Sequence, residues 1–591
     1  MAPTNHVRTF GTREILVGAL YGILGGAHHT ELRALSDRLA HRGREAAEWS
    51  PGRDIHLGIR GPRRIVDVQE HGPVAFEGAI DNRDEIVRLL RRRAGEPVGP
   101  AHDAWLVFEL IDSLGPEALD RLAGPFAVAC WHGPERRLLL ARDRVGCAPL
   151  YFTFIGDRFA FASEYKALLV LDGALAAPDL DALQMIQATG WVRAGHSCVR
   201  GIFPVAPGSY LETRAGRSWS RRYGSVRHPG AAAAPPLGDS LIGALERQVT
   251  GYGRIGIALN RGRHSALLAR AVRAVAGGRE IHTVTAGHGP DDPELLEAAR
   301  MARAFGARHH PVALRPEDLE TLLPWMVWHL EEPGGGEEIA YLFAAAREAA
   351  HHVTVILSGF GLDSLLAGRA GRRLADLARR YPLLRTPVSE LYEYAYGGVP
   401  PASLGGRALA AAYYRRRDFP PARVRGAAAL PRSTGSVPGV EGRPPEYAVE
   451  RLYAGTGLRL GAPGTDPAFL ETVLSNPGLP IALARRGGER LAHELRMSDA
   501  LDRLAVELLS PGAVRDRGFF EPAYVAALLR RAMGQPYGEG RSRRIWSLLL
   551  TEIWARTFLD GRGSRPEQPL PPLRSLEDAA ARGEPAASTA P

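Results

Sequence analysis

The hydrophobic pattern of this chain changes its period once, and that change constrains the fold more than any other feature. From Gly11 to about Tyr223, short apolar runs alternate with turn signals at Ile15–Leu24, Ile55–Ile59, Val74–Phe76, Phe126–Trp131, Leu138–Ala141, Tyr151–Phe154 and Phe159–Ala162. Helical spacing comes between them at Glu31–Ala40 and Ala104–Leu114. Such runs read as strands of a largely antiparallel sheet, so residues 1–223 are expected to form an α+β domain. The segment Gly224–Asp239, GSVRHPGAAAAPPLGD, has no periodicity and reads as a linker.

Beyond it the rhythm becomes strand then helix. Ile255–Leu259 is a buried strand with a helix through Ala276, Ile281–Thr285 a second strand, Glu294–Phe305 a second helix, His310–Leu314 a third strand and Val353–Leu357 another. Alternation of this kind predicts a parallel sheet over residues 240–560, with its ligand site at the carboxyl ends of the strands. After about Pro382 the pattern is helical, broken by a Pro/Arg/Gly-rich loop at Phe419–Pro445. Residues 561–591 have the composition of a disordered tail.

A length of 591 residues fits two or more domains, and 45% apolar with 24% charged residues is ordinary for globular proteins. Three cysteines make no disulfide framework, and no CxxC or Cys/His cluster has the spacing of a tetrahedral metal site. No run is long and apolar enough to span a bilayer, and Ile15–Leu24, broken by glycines and preceded by Glu14, does not read as a signal peptide. A reducing, cytoplasmic setting is expected. The net charge is +9, and Lys166 is the only lysine among 74 basic residues. The clusters Arg91–Arg93 and Arg415–Arg417 are short, far apart and without interleaved aromatics, so they read as solvated surface.

Several segments resemble the asparagine synthetase family, which joins a class II glutamine amidotransferase domain of the Ntn hydrolase type to an ATP-pyrophosphatase domain. LAHRGREAAEW, AFEGAIDNRDEI, LAGPFAVACWHGPERRLLLARDRVGCAPLYF and FASEYKALL resemble the first domain's blocks. LLEAARMARAFGARHHPV, LEEP and VILSGFGLDSLLAG fall in the order of the second. In layout the chain is most similar to lasso peptide macrolactam cyclases and β-lactam synthetases.

The resemblance also marks losses. The family's glutaminase nucleophile is an N-terminal cysteine whose own amine is its base. Tyr21 stands in that place here, Glu77 begins the segment matching the family's NG, and Asp103 is the one glutamine-holding position kept, so glutaminase activity is expected to be absent. Cys130 and Cys147 read as ordinary core or loop thiols. β-Lactam synthetases and macrolactam cyclases share this loss, because their substrates carry their own amine.

In the second domain the family's SGGxDS turn cradles the pyrophosphate of ATP and holds Mg2+. The matching segment is IGIALNRGRHSALLARA, with Asn260 for Ser, Arg261 for the first Gly and His264 for the Asp, while Gly262 and Ser265 remain. The second motif keeps Ser358, Gly359, Gly361 and Asp363, so Ser358, Gly359 and Gly361 are expected around ATP with Asn260, Gly262 and Ser265, and Asp363 on Mg2+. Phe360 stands where β-lactam synthetases place a basic tyrosine, Ser364 replaces a glutamate, and Glu390 or Glu393 could supply the glutamate of that dyad. The family's C-terminal lysine is missing, leaving Arg515 and Arg517 for the acyl phosphate.

Two functions follow. One is an ATP- and Mg2+-dependent carbon–nitrogen ligase that adenylates a peptide or amino-acid-derived carboxylate, with Asp363, Arg515, Arg517 and Glu390 catalytic, in lasso peptide macrolactam-type biosynthesis. The other is a catalytically degenerate scaffold for an active paralogue or a precursor peptide, favoured by the altered turn. Nucleic-acid binding through the arginines is a third, weaker alternative.

Overall fold

The computed structural model describes residues 17–50, 54–61, 65–68, 72–94, 103–192, 195–214, 216–224, 235–260, 262–359, 425, 446–475, 499–532 and 539–575. The first half contains the strands β1 (Ala19–Leu24), β2 (Ala46–Trp49), β3 (Ile55–Arg60), β4 (Val66–Val68), β5 (Gly72–Gly78) and β6 (Phe126–His132). They are followed by β7 (Arg137–Arg142), β8 (Tyr151–Ile155), β9 (Arg158–Ala162), β10 (Ile202–Pro204), β11 (Ser209–Arg214) and β12 (Arg217–Arg222). Its helices are α1 (His29–Arg38), α2 (Arg83–Ala94), α3 (Asp103–Leu114), α4 (Tyr165–Leu168) and α5 (Leu180–Thr189).

These strands make two six-stranded sheets, ordered β10-β8-β9-β1-β3-β2 and β12-β11-β7-β6-β5-β4, with every neighbouring pair antiparallel. Alternation along the strands sorts the side chains into layers. Leu20, Leu57 and Phe161 of one sheet meet Ala127, Leu138 and Leu140 of the other. On the outer faces, Ala19 and Tyr21 of β1 pack with Leu32 and Leu35 of α1, while Val74 and Phe76 of β5 pack with Leu106 and Leu110 of α3. The domain is therefore layered helix, sheet, sheet, helix.

The ARDRVGCAPLY segment turns the chain from β7 to β8. Asp143 accepts from the backbone N–H groups of Val145, Cys147 and Ala148 at 3.1, 3.0 and 2.8 Å, and Arg142 donates to the carbonyls of Ala148, Val205 and Gly146. The block that carries the strongest family resemblance thus closes a buried turn.

The second half contains β13 (Arg254–Ala258), β14 (Glu280–Gly287), β15 (Arg308–Ala313), β16 (Val355–Ser358), β17 (Arg459–Gly461) and β18 (Arg574–Ser575), in the order β17-β16-β13-β14-β15-β18. All pairs are parallel except β15 with β18. Helices α6 (Leu237–Val249), α7 (Arg263–Val275) and α8 (Pro293–Ala304) contribute to the core against Ile255 and Ile257. Helices α9 (Leu319–Leu330) and α10 (Glu338–Ala349) pack with Val284, Val312 and Ile356. The remaining described helices are α11 (Glu446–Gly455), α12 (Pro467–Ser475), α13 (Asp499–Leu508), α14 (Pro511–Arg517), α15 (Pro522–Ala532) and α16 (Glu539–Ala555). Among the described residues, no helix is long and apolar enough to cross a membrane.

The structure adds one hairpin to the sequence reading, leaves one segment outside the described residues and orders part of the tail. The Arg-rich hairpin β11–β12 follows no apolar run, because β12 is an edge strand with mostly exposed side chains. The expected loop at Phe419–Pro445 and most of the helical stretch after Pro382 lie outside the described residues, apart from Arg425. The expected disordered tail is ordered as far as Ser575. Trp328 Nε1–H donates to the Gly563 carbonyl at 3.0 Å, Trp325 Nε1–H to Gln568 at 2.8 Å and Arg347 to Pro571 at 2.8 Å, before β18 joins β15. Polar composition does not forbid order when buried indole and guanidinium donors take the backbone carbonyls. Ending the chain at Asp560 should strand both indole N–H groups, each bond being worth about 1 kcal/mol. The expected result is a melting temperature lowered by several degrees with a shift in tryptophan emission.

Candidate active site at the sheet mouth and the buried interface

Parallel pairing aligns Ala258 with Ser358 on adjacent strands β13 and β16. The turn Asn260–Gly262 and the turn Ser358–Gly359 therefore leave the sheet side by side at its carboxyl end, where open α/β sheets bind ligands. The end of β14 forms a third side. Gly287 lies so close to α8 that a Cβ there would meet Asp292 Oδ2 at 2.6 Å, and His288 N–H donates to that carboxylate at 2.8 Å. Tyr341 of α10 bonds His288 Nδ1 at 2.9 Å, and burial lowers the His288 pKa. Thr285 donates to the Leu259 carbonyl at 2.7 Å and fixes the base of the first turn.

The first turn is closed on itself. Asn260 Oδ1 accepts the Gly262 N–H at 2.9 Å, and Ser265 Oγ accepts the Asn260 N–H at 2.9 Å. These are polar contacts a phosphate would otherwise compete for. At the start of α7 no side chain caps the N-cap Gly262, so the first-turn amides suit a phosphate oxygen. Fit to a metal is poorer, because this turn has His264 where the resemblance calls for a carboxylate. Phe360, Gly361, Asp363 and Glu390 lie outside the described residues, as does Arg261. Arg517 is held by Glu552 at 3.0 Å and Asp560 at 2.6 Å, a clasp between α14 and the end of α16, and these partners raise its pKa. Arg515 is exposed on the same helix. The sequence reading missed His288, Tyr341 and Thr285, although the turn after the second strand was a signal for the first.

In the first half, Tyr21 is fully buried inside β1. Its hydroxyl donates to Glu48 at 2.9 Å, and its ring covers Gly58 so tightly that a Cβ there would fall 2.0 Å from it. Burial raises the phenol pKa. Asp103 is bound by Arg83 at 3.0 Å at the start of α3. Burial pushes the Cys130 thiol up to about 12.

The HRG, EG, SEYK and LEEP segments converge instead on one buried ionic cluster between the halves. Glu164 receives Arg42 Nε at 2.7 Å, Lys166 Nζ at 2.6 Å and His41 Nε2 at 2.9 Å. Arg42 also lies 3.4 Å from Glu77 and 3.5 Å from Glu450. Ser163 donates to Glu77 and accepts the Leu20 N–H. Glu331 accepts the N–H groups of Tyr165 and Lys166 at 3.1 and 2.7 Å, and Arg451 reaches Glu331, Glu332, the Leu330 carbonyl and the Tyr151 hydroxyl.

Five carboxylates thus face Arg42, Lys166 and Arg451, and burial opposes their full ionisation, raising the Glu450 pKa as well. Burial pushes Glu77 up to about 8 and Glu331 to about 7, against the pull of neighbouring cations. Burial opposes ionisation of Glu164 too, but His41, Lys166 and Arg42 hold it well below the ordinary carboxylate value. His41 is lowered to about 4, chiefly by burial.

Residues 17–224 match the model of the glutamine amidotransferase domain, and residues 237–443 match that of asparagine synthase. The chain joins a glutamine amidotransferase domain to an asparagine synthase domain. A putative glutamine-hydrolyzing asparagine synthetase of Mycobacterium tuberculosis H37Rv is 30% identical over 333 residues, 54% of this chain and 48% of that protein. Glutamine-hydrolyzing asparagine synthetase 1 of Bacillus subtilis 168 is 26% identical over 360 residues, 57% of this chain and 55% of that one. A carboxyethyl-arginine β-lactam synthase of Streptomyces clavuligerus is 28% identical over 371 residues, covering 59% and 68%. The chain spans about half the length of the first of these relatives. Members of the family use ATP and Mg2+.

Two outcomes test these sites. Glu77 binds its proton more tightly when folded, so its contribution to stability is complete below the ordinary carboxylate pKa and is lost as pH rises towards about 8. Glu77→Gln cannot ionise and should flatten the dependence of melting temperature on pH between about pH 5 and 8. Asn260→Ala frees the Gly262 N–H and should tighten ATP binding several-fold in calorimetric titration.

Proposed function

We propose that the protein forms an amide bond by ATP-dependent activation of a carboxylate, and that the attacking amine belongs to the substrate rather than coming from glutamine. The observation that supports the first part is the alignment of Ala258 with Ser358, which brings the two turns that resemble the family's phosphate motifs to one sheet mouth. Tyr21, buried where the resemblance calls for the glutaminase nucleophile, supports the second. One relative is named a β-lactam synthase, and a β-lactam is a cyclic amide. By that likeness the substrate is a peptide or amino-acid-derived molecule that closes on its own amine, in the manner of a macrolactam.

ATP, when bound, supplies the leaving group for the carboxylate. The first-turn amides of α7, Ser265, Ser358 and Gly359 hold its phosphates, and Asp363 is the carboxylate for Mg2+. Binding requires the Asn260 side chain to swing away from Gly262. That closed turn also favours a second reading, a scaffold that binds a precursor peptide or an active paralogue without turning over nucleotide.

Purified protein should exchange labelled pyrophosphate into ATP when given a candidate carboxylate, at a rate indifferent to glutamine. Asp363→Ala should abolish the exchange. Peptide binding without exchange or a nucleotide-dependent thermal shift would select the scaffold.

A further inference from the structure

Three histidines far apart in sequence meet at the opposite end of the parallel sheet from the Asn260 turn. His282 is the third residue of β14, His310 the third of β15, and His352 follows the C-terminus of α10. One ring nitrogen from each lies within 4.8 Å of the others. His282 and His310 are buried, with 1% and 4% of their surface exposed, while the His352 side chain retains 27%. The site is about 17 Å from the end of β14 at the mouth, taking about 3.3 Å per strand residue from His282 to Gly287.

The surroundings suit a cation. His282 Nδ1 and His310 Nε2 are 2.9 Å apart. Carboxylates back the outer nitrogens, with Glu348 at 2.8 Å from His352 Nε2 and Glu280 at 3.3 Å from His282 Nε2. Arg254 also binds Glu280, at 3.2 Å, and Arg308 stands beside His282 in the neighbouring strand. The C-terminal carbonyls of α10 add negative potential.

We propose that His282, His310 and His352 bind a borderline divalent cation, Zn2+ being the fitting ion, and that it pins the end of α10 to β14 and β15. Three imidazoles with carboxylates behind them match the ligand preference of Zn2+ and not that of Mg2+. Zn–N bonds of about 2.0–2.1 Å set tetrahedral nitrogens about 3.4 Å apart, so the His282–His310 pair, now 2.9 Å apart, must part slightly to admit the ion while His352 adjusts to meet it. The rings of His310 and His352 now stack at 3.7 Å, and His352, partly exposed at a helix end, is the one free to turn edge-on. A solvent ligand or Glu348 completes the fourth position.

The test uses the full chain, stripped with chelator and titrated with ZnCl2 at pH 7.5. About one ion per chain should bind, with a rise in melting temperature. His352→Gln, at a partly exposed site that should not disturb folding, should weaken binding at least tenfold and remove the rise, and His310→Gln should do the same. Co2+ should give the intense visible absorption of a tetrahedral nitrogen site in the parent chain but not in His352→Gln. Asp363→Ala should leave uptake unchanged, which separates this site from the proposed nucleotide site. Absence of uptake, uptake unaffected by His352→Gln, or uptake lost in Asp363→Ala would each overturn the proposal.

Discussion

The buried pairing of Glu164 with Arg42 and Lys166 is the constraint on which the relation of the two halves rests. Removing these charges from water costs several kcal/mol per ion, and only mutual contacts and backbone donors offset it. The partners come from both domains: Arg42, Glu77, Glu164 and Lys166 from the first, Glu331, Glu332, Glu450 and Arg451 from the second. Neither half could expose its share alone without leaving unpaired charge in an apolar wall. One continuous core, running from Tyr21 and Leu35 through Tyr165 to Trp325 and Trp554, surrounds the cluster. Lys166, the chain's only lysine, stands over the Trp328 ring at 4.2 Å and donates to that residue's carbonyl. The first domain therefore has a structural task that does not depend on glutamine chemistry.

At the mouth of the second domain the balance is different. The frame is intact, with adjacent parallel strands, two turns and the start of a helix, while the turn itself has taken up its own hydrogen bonds through Asn260. A phosphate must compete with an amide side chain that the same loop supplies, and a rotation about one side chain separates the closed from the open arrangement. Whether the protein catalyses or only binds turns on that competition.

The central strands of both domains were legible in the sequence because period-two alternation and short buried runs translate directly into layered sheets, whereas the short strands β2, β4, β10, β17 and β18 carry too few residues to show a period. Ile55–Ile59 became β3 and Ile255–Leu259 became β13 with shifts of a residue or so at the ends. Strand β12 was not legible, since an edge strand need bury nothing, and β11 was hidden because its buried side chains include Ser209, Glu212 and Thr213 rather than an apolar run. Asn260, Gly262, Ser265 and Ser358 were singled out by motif, and the structure sets the two turns that carry them on adjacent strands. Arg517 carried the right charge for a phosphate but is committed to Glu552 and Asp560, contacts no local pattern announces. The histidine cluster was not legible from sequence spacing, which showed no Cys/His set at metal-site intervals. Its members lie on two strands and a helix end, so only the fold brings them together.

The strap formed by residues 561–575 has a consequence for the order of assembly. Arg38 donates to the Gly563 carbonyl across 525 residues of chain. At about 5–20 residues per second, a ribosome needs roughly half a minute to two minutes to make that much polypeptide. The N-terminal domain must wait that long with the docking face beneath α1 and α4 uncovered.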